Sequence, residues 1–222
     1  MKNKLCFFGI FLFLMSIGGC AQEQKPPYWD EIERFREMDK GNPPPTDAIL
    51  FAGSSSIRMW EGIGDYFPGH AVINRGFGGS TLEDQIRYLD DVVFPYAPRQ
   101  IVLYCGENDL AYVDTLSPES VLARFEEWFQ RVRNNLPDVR ISYVSMKPSP
   151  NRWHLAGKYQ KGNGLIREFL EAKMNSDYID IWDVMLNDDG RPDPAIFQDD
   201  MLHMNEKGYK LWQAKIAPFL SE

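Results

Sequence analysis

The chain is poor in cysteine and short of positive charge. It has three cysteines in 222 residues, and Cys6 and Cys20 both fall in its first twenty positions. Only Cys105 is left for the rest of the chain, which excludes a framework of internal disulfides there. Lys and Arg number 24 against 32 Asp and Glu, giving a formal net charge of -8. An acidic surface argues against nucleic acid as a partner.

The first nineteen residues have the pattern of a secretory signal peptide. Lys2 and Lys4 precede an apolar run over 5–17 that is too short to span a bilayer comfortably. The run ends in Ile17-Gly18-Gly19-Cys20, which is similar to the lipobox of bacterial lipoproteins. We therefore expect cleavage before Cys20, lipidation of its thiol and a membrane-anchored, exported lipoprotein of the cell envelope. An ordinary signal peptide, with no special role for Cys20, is the alternative.

Removal of residues 1–19 leaves about 200 residues, enough for one domain with a good core. The net charge then becomes -10, because Lys2 and Lys4 account for two positive charges (-8 minus 2). We assign 20–28 to a polar tether and 29–222 to a single domain. The sequence has no internal repeats.

Five short apolar segments, with little polar alternation, are typical of buried parallel strands. They are Ala48–Ala52, Ala71–Asn74, Gln100–Cys105, Arg140–Met146 and Tyr178–Trp182. Helical patterns separate them, including a helix capped by Ser117 and a last helix capped by Asn205. Their alternation predicts a doubly wound, flavodoxin-like α/β domain: a three-layer sandwich around a five-stranded parallel sheet.

The other helices follow from apolar residues at helical spacing. They involve Trp29 to Met38, the set Leu82, Ile86 and Leu89, and the set Leu165, Ile166, Phe169, Leu170 and Met174. Cys105, at the end of the third predicted strand, is expected to serve as buried packing.

Hydroxyl, glycine and amide residues follow the first three predicted strands. Gly53-Ser54-Ser55-Ser56 comes after the first, a glycine-rich stretch over 74–81 after the second, and Gly106-Glu107-Asn108-Asp109 after the third. Ligands bind beyond the carboxyl ends of such strands, so we expect these residues to meet there. A serine helix cap, a phosphate-binding loop and an Asn-Asp turn are the ordinary alternatives. No Gly-x-Ser-x-Gly is present, which excludes the nucleophile elbow of the α/β-hydrolases.

An aspartate and a histidine lie three residues apart in Asp200-Met201-Leu202-His203. A carboxylate beside a histidine fixes the ring tautomer and stabilises the imidazolium, which prepares the ring to act as a base. The same spacing also occurs on solvated loops. A metal site made of Asp199, Asp200 and His203 is short of ligands, so we expect neither a metal nor another cofactor. Together with the serine, glycine and asparagine, the pair supplies the parts that acyl transfer to water needs.

These motifs resemble those of the SGNH, or GDSL-type, hydrolase superfamily, over the chain from Ile49 to Phe219. The family's Gly-Asp-Ser block matches Gly53-Ser54-Ser55, although this chain has Ser54 in place of the usual aspartate. The resemblance implies Ser55 as the nucleophile. Alignment of the motif glycine and of 57–60 favours Ser55 over Ser56.

The remaining blocks imply the other roles. The resemblance makes Gly79 and Asn108 oxyanion donors beside the Ser55 N–H, and it makes Asp200 and His203 the acid and base of a triad. The loop Lys147-Pro148-Ser149-Pro150 and the tail after His203 are similar to the platelet-activating-factor acetylhydrolase-like branch.

The activity implied by the resemblance is hydrolysis of an ester through an acyl-enzyme. Short acyl esters, above all acetyl groups on a small molecule or a glycan, are the expected substrates. His154, in the loop after the fourth strand, is a candidate substrate contact, whereas His70 precedes the second strand at the opposite edge. A carbohydrate-binding lipoprotein without turnover and a lysophospholipase-like lipid esterase are the alternatives.

Overall fold

The computed structural model describes residues 25–222. The predicted signal peptide, Cys20 and the tether as far as residue 24 lie outside the described residues. The domain is predicted to begin at residue 29, but Pro27 and Tyr28, just before that boundary, already contact it. The Tyr88 hydroxyl donates to the Pro27 carbonyl, and the Tyr28 hydroxyl donates to the Gly79 carbonyl at 3.0 Å.

Five parallel strands form one sheet, as the apolar segments predict. They are β1 (Ile49–Gly53), β2 (Val72–Gly76), β3 (Gln100–Tyr104), β4 (Arg140–Val144) and β5 (Ser176–Ile179). The sheet order is β2-β1-β3-β4-β5, and every neighbouring pair is parallel. This is the flavodoxin-like order with its switch point between β1 and β3. The predicted fold class is confirmed.

Nine α-helices are assigned within residues 25–222. They are α1 (Trp29–Gly41), α2 (Ser55–Arg58), α3 (Ile63–Tyr66), α4 (Leu82–Arg87), α5 (Leu89–Val92), α6 (Glu107–Tyr112), α7 (Pro118–Asn135), α8 (Ala156–Glu171) and α9 (Glu206–Ile216). The predicted caps are confirmed, since the Ser117 side chain accepts from the Ser120 N–H and that of Asn205 from the Lys207 and Gly208 N–H groups. None of the helices in the described part of the chain is long and apolar enough to cross a membrane.

The fifth strand begins two residues earlier and ends three residues earlier than predicted. Parallel pairing with β4 runs from Ile141 opposite Ser176 to Val144 opposite Ile179. Beyond that point the Ile181 N–H donates to the Ser145 hydroxyl oxygen at 3.1 Å instead of to a strand carbonyl. The apolar residues that follow Ile179 therefore pack into the core from a turn and not from the sheet.

The predicted helical stripe that ends at Met174 is too long. Helix α8 stops at Glu171, and Met174 lies beyond it with 88% of its surface exposed. The set Leu82, Ile86 and Leu89 is divided between α4 and α5, with Tyr88 at the junction. In both places an apolar residue at helical spacing does not continue the helix.

Helices cover both faces of the sheet, and α9 packs on the face that carries the serine turn. Trp212 of α9 is fully buried, with its ring 4.7 Å from that of Tyr104 at the end of β3. The Tyr209 ring stacks 4.9 Å from Trp60, and the Tyr209 hydroxyl donates to the Ser56 carbonyl at 2.9 Å. These contacts fix the start of α9, and with it the preceding loop, beside the carboxyl end of β1.

Candidate active site

A tight turn after β1 presents Ser55. Gly53 ends the strand with φ +140, and a Cβ there would lie 2.0 Å from the Tyr104 carbonyl oxygen, so only glycine fits. The Ser54 N–H then donates to that carbonyl at 3.1 Å, and Ser55 becomes the first residue of α2. Ser54 and Ser56 are buried, at 4% and 1% exposed, whereas Ser55 is partly exposed.

Ser55, His203 and Asp200 form one hydrogen-bonded chain. His203 Nε2 lies 2.9 Å from Ser55 Oγ, and His203 Nδ1 lies 2.5 Å from Asp200 Oδ2. An ionised carboxylate only accepts hydrogen bonds, so the ring carries its proton on Nδ1 and leaves Nε2 free to accept from the serine hydroxyl. Of the three serines in a row, Ser55 is the one that the fold joins to the histidine.

The Asp200 carboxylate also holds the loop that carries His203. Its Oδ1 accepts from the Leu202 and His203 N–H groups, each at 2.9 Å. Desolvation raises the pKa of Asp200, but the hydrogen bonds from the His203 ring and from these two N–H groups outweigh it and lower the pKa from 3.8 to about 2. Asp200 is therefore ionised over the neutral range and accepts hydrogen bonds from the His203 ring and from the loop.

We expect Asp200→Asn to remove a pH-dependent part of the stability. A pKa lowered in the folded state means that the ionised group stabilises the fold above about pH 4, and this contribution is lost as the pH falls towards about 2. The side chain is 47% exposed, so water screens the effect to about 1 kcal/mol or less. Thermal melts of both proteins across the acidic range should converge as the pH falls. Asp199→Asn, which leaves these contacts intact, is the control and should show no such convergence.

The glycine loop after β2 is held by the amino-terminal part of the domain. The Gly78 N–H donates to Glu31 Oε2 at 3.1 Å, and the Gly79 carbonyl accepts from the Tyr28 hydroxyl. Burial is the main reason that the pKa of Tyr28 rises to about 12, so this hydroxyl keeps the proton that it donates. Gly79 has φ +80, and a Cβ there would lie 3.4 Å from the Tyr112 hydroxyl.

Asn108 lies on α6, next to the glycine loop, and is almost fully buried. Its Nδ2 donates to the Ser80 carbonyl at 3.0 Å, and its Oδ1 accepts from Arg152 at 2.9 Å. A side-chain amide has two N–H groups, so one donor remains beyond the bond to Ser80. The structure thus brings Asn108 to the loop that carries Gly79.

The sequence did not indicate a group of charged residues next to Asn108. Glu107, Lys147 and Arg152 form buried ion pairs there, with Lys147 Nζ 2.7 Å from Glu107 Oε2 and an Arg152 nitrogen 2.8 Å from Glu107 Oε1. The available signal was Lys147, a charged residue directly after a segment predicted to be a buried strand. Its partner lies 40 positions away, which the sequence alone does not identify.

The other candidates lie apart from the hydrogen-bonded set. His154 is exposed, in the turn Trp153–Leu155, and its role as a substrate contact stays a prediction. His70 lies at the amino edge of the sheet, where Nδ1 is 3.4 Å from Arg99. Cys105 is buried as predicted, and Asp199 is exposed. Among residues 25–222, no group of three or more His, Cys, Asp or Glu side chains is arranged to hold a metal.

A cavity of about 660 Å³ opens next to the histidine loop. Met204 and Asn205 line it and directly follow His203, and Arg58 lines it one helical turn after Ser55. The rest of the lining is mostly polar and consists of Met59, Glu61, Tyr66, Gln198, Glu206 and Tyr209. Ser55, Asp200 and His203 do not themselves line this cavity, which lies beside the hydrogen-bonded set at the residues that follow His203.

A parallel sheet with a serine, a histidine and an aspartate joined at its carboxyl edge is the arrangement of a hydrolase. The chain belongs to the GDSL-like lipase/acylhydrolase family, whose model matches residues 50–211. A search of curated proteins finds no match.

Several solved structures have the same fold. A Streptococcus pneumonia protein named as a platelet activating factor is 21% identical, with a TM-score of 0.76 over 86% of this chain and 92% of its own. A GDSL-like lipase from Bacteroides thetaiotaomicron is 18% identical, with a TM-score of 0.70 over 85% and 96%. A mutant of the acetylxylan esterase Axe2 from Geobacillus stearothermophilus is 13% identical, with a TM-score of 0.63 over 78% and 94%. At these identities the likeness is one of fold.

Proposed function

We propose that the protein is a serine ester hydrolase that works through an acyl-enzyme. The observation that carries this proposal is the continuous chain Asp200–His203–Ser55, with 2.5 and 2.9 Å between its atoms. His203 Nε2 accepts the Ser55 proton as Oγ attacks the acyl carbon, and the resulting imidazolium then gives that proton to the leaving alcohol. Water attacks the acyl-enzyme next, with His203 again as the base, and the acid leaves.

The oxyanion of each tetrahedral intermediate is held by three N–H donors. As the first residue of α2, Ser55 has a backbone N–H that no earlier helical turn can bind. The Gly79 N–H and the remaining N–H of Asn108 complete the set. Donors that are already in place before charge develops are the main source of stabilisation in such sites.

The substrate that we propose is a short acyl ester, above all an acetyl group on a glycan. The leaving alcohol takes its proton from His203, so the alcohol part of the substrate lies on the side of the histidine, where the polar cavity is. A polar cavity suits a sugar better than an acyl tail. The acetylxylan esterase with the same fold supports the same choice.

A chain-length series tests the substrate class. We expect kcat/KM to be highest for p-nitrophenyl acetate, to fall for the butyrate and octanoate, and to be matched or exceeded by an acetylated xylo-oligosaccharide. Octanoate as the best substrate would favour the lysophospholipase-like lipid esterase. No turnover of any ester and no labelling by a fluorophosphonate probe would favour a carbohydrate-binding protein without activity.

We further propose that Cys20 carries a lipid anchor outside the cytoplasm. The sequence Ile17-Gly18-Gly19-Cys20 supports this, and seven residues then separate the anchor from Tyr28. Mass spectrometry of the mature amino terminus tests it. A free cysteine thiol, or cleavage at another bond, would contradict the anchor and leave the proposed chemistry unaffected.

A further inference from the structure

A buried ionic cluster of Glu107, Lys147 and Arg152 lies next to the carboxyl end of β3 and contacts the candidate oxyanion asparagine. Lys147 and Glu107 are each exposed by only a few per cent, and the Tyr104 hydroxyl donates to the same Glu107 oxygen as Lys147. Taking such charges out of water costs more than an apolar replacement of the same volume. Stability alone therefore does not account for placing Lys147 and Glu107 here.

Arg152 connects this cluster to Asn108. The same guanidinium nitrogen donates to Glu107 Oε1 at 2.8 Å and to Asn108 Oδ1 at 2.9 Å. On the opposite side of the amide, the Ser80 carbonyl accepts from Nδ2 at 3.0 Å. Arg152 offers only donors and the carbonyl is only an acceptor, so the oxygen and nitrogen of the Asn108 amide have one possible assignment.

A rotation of this amide by half a turn would break both bonds. It would place Nδ2 against the guanidinium of Arg152 and Oδ1 against the Ser80 carbonyl, which are two repulsive contacts. It would also exchange an N–H for an oxygen lone pair at the place where negative charge develops. Holding the amide in one orientation is therefore a condition for its use as an oxyanion donor.

We propose that Arg152, anchored by Glu107 and Lys147, is a positioning residue that holds the Asn108 amide with one N–H directed at the oxyanion. The proposal rests on the proposed esterase function. The proposal also gives a structural role to the loop that begins with Lys147-Pro148-Ser149-Pro150. This loop brings Lys147 and Arg152 to the two oxygens of Glu107.

A double-mutant cycle on p-nitrophenyl acetate tests the proposal. Asn108→Ala should lower kcat by about a hundred- to a thousandfold. Arg152→Met, which keeps the apolar stem, should lower kcat by about ten- to a hundredfold, the usual effect of removing an orienting partner, with little change in KM. The double variant should have the kcat of Asn108→Ala, because Arg152 has nothing left to position.

The control is Arg191→Met, since the Arg191 guanidinium lies over Trp153 in the same region, 5.2 Å from the ring centre. It should change kcat less than twofold. A further loss of kcat on adding Arg152→Met to Asn108→Ala would overturn the proposal in favour of direct contact between Arg152 and substrate.

If Arg152→Met melts below the assay temperature, Arg152→Lys takes its place. This variant keeps the positive charge but loses the planar geometry of the guanidinium.

A second readout separates this inference from the proposed function. In ¹⁵N-resolved NMR spectra, the Asn108 side-chain amide should give exchange-protected signals in the wild type and lose that protection in Arg152→Met. Loss of protection in a protein that hydrolyses no ester would retain the positioning and reject the esterase. Unchanged signals together with unchanged kcat would reject the positioning alone.

Discussion

Replacement of Ser55 by alanine is expected to lower kcat for p-nitrophenyl acetate by about 10⁴- to 10⁶-fold, because the proposed function makes Ser55 the nucleophile and loss of the nucleophile has this effect in serine hydrolases. Ser55 Oγ lies 2.9 Å from His203 Nε2. Neither the Ser54 nor the Ser56 hydroxyl makes this hydrogen bond, so only Ser55 is placed to transfer its proton to the imidazole ring. The small residual rate would come from binding and from the oxyanion donors. Steady-state kinetics and fluorophosphonate labelling of the purified variant measure the effect.

Ser54→Ala is the matched control for this experiment. Ser54 directly precedes Ser55 and is buried, and its side chain makes no capping hydrogen bond to α2. We expect Ser54→Ala to keep most of the activity and all of the labelling. Near-normal turnover in Ser55→Ala, together with a collapse in Ser54→Ala or Ser56→Ala, would show that the nucleophile is misassigned.

Glu107→Gln is expected to lower the free energy of unfolding by about 3–5 kcal/mol, because it leaves buried charges without their partner. The substitution keeps the shape of the side chain but removes the charge that faces Lys147 and Arg152. Burial opposes ionisation of Glu107, but the charges of Lys147 and Arg152 outweigh it and lower the pKa of Glu107. Urea unfolding of the variant and the wild type measures the difference.

Two comparisons make this prediction specific. Adding Lys147→Met to Glu107→Gln should recover part of the lost stability, since it removes the buried Lys147 ammonium that Glu107→Gln leaves without its partner. Glu83→Gln should cost no more than about 1 kcal/mol, because Glu83 is 61% exposed and its pair with Arg124 lies in water. Equal losses for Glu83→Gln and Glu107→Gln would contradict the account of the buried cluster.

The sheet could be predicted from the sequence because its strands are buried on both faces. Such strands appear as short apolar runs whatever their neighbours are, and β1, β3 and β4 begin within a residue of their predicted positions. The end of β5 could not be predicted in this way. Ile181 and Trp182 are also buried, and only pairing with β4 determines where the strand stops.

Some residues of the candidate site could likewise be predicted from the sequence, and others could not. Ser55, Asn108, Asp200 and His203 could be proposed because each stands in a short motif at a predicted strand end or loop. Glu107 lies in one of these motifs, but the sequence indicated no role for it. Lys147 and Arg152 lie outside the motifs that supplied the predicted site residues. Their roles depend on contacts that span 40 and 45 positions of the chain, and no local pattern encodes such pairs.

The sequence by itself determined the parallel α/β fold and the residue types that gather at its carboxyl edge, because apolar periodicity and turn chemistry are local properties. The resemblance of the motif already favoured Ser55, but only the tertiary structure decided that its side chain faces His203, since that depends on the direction of each side chain as the chain turns at Gly53. It also decided how the Asn108 amide is oriented, because Arg152 and the Ser80 carbonyl reach it from different parts of the chain. A hydrogen bond fixes direction as well as distance, and its direction is set only when both partners are in place.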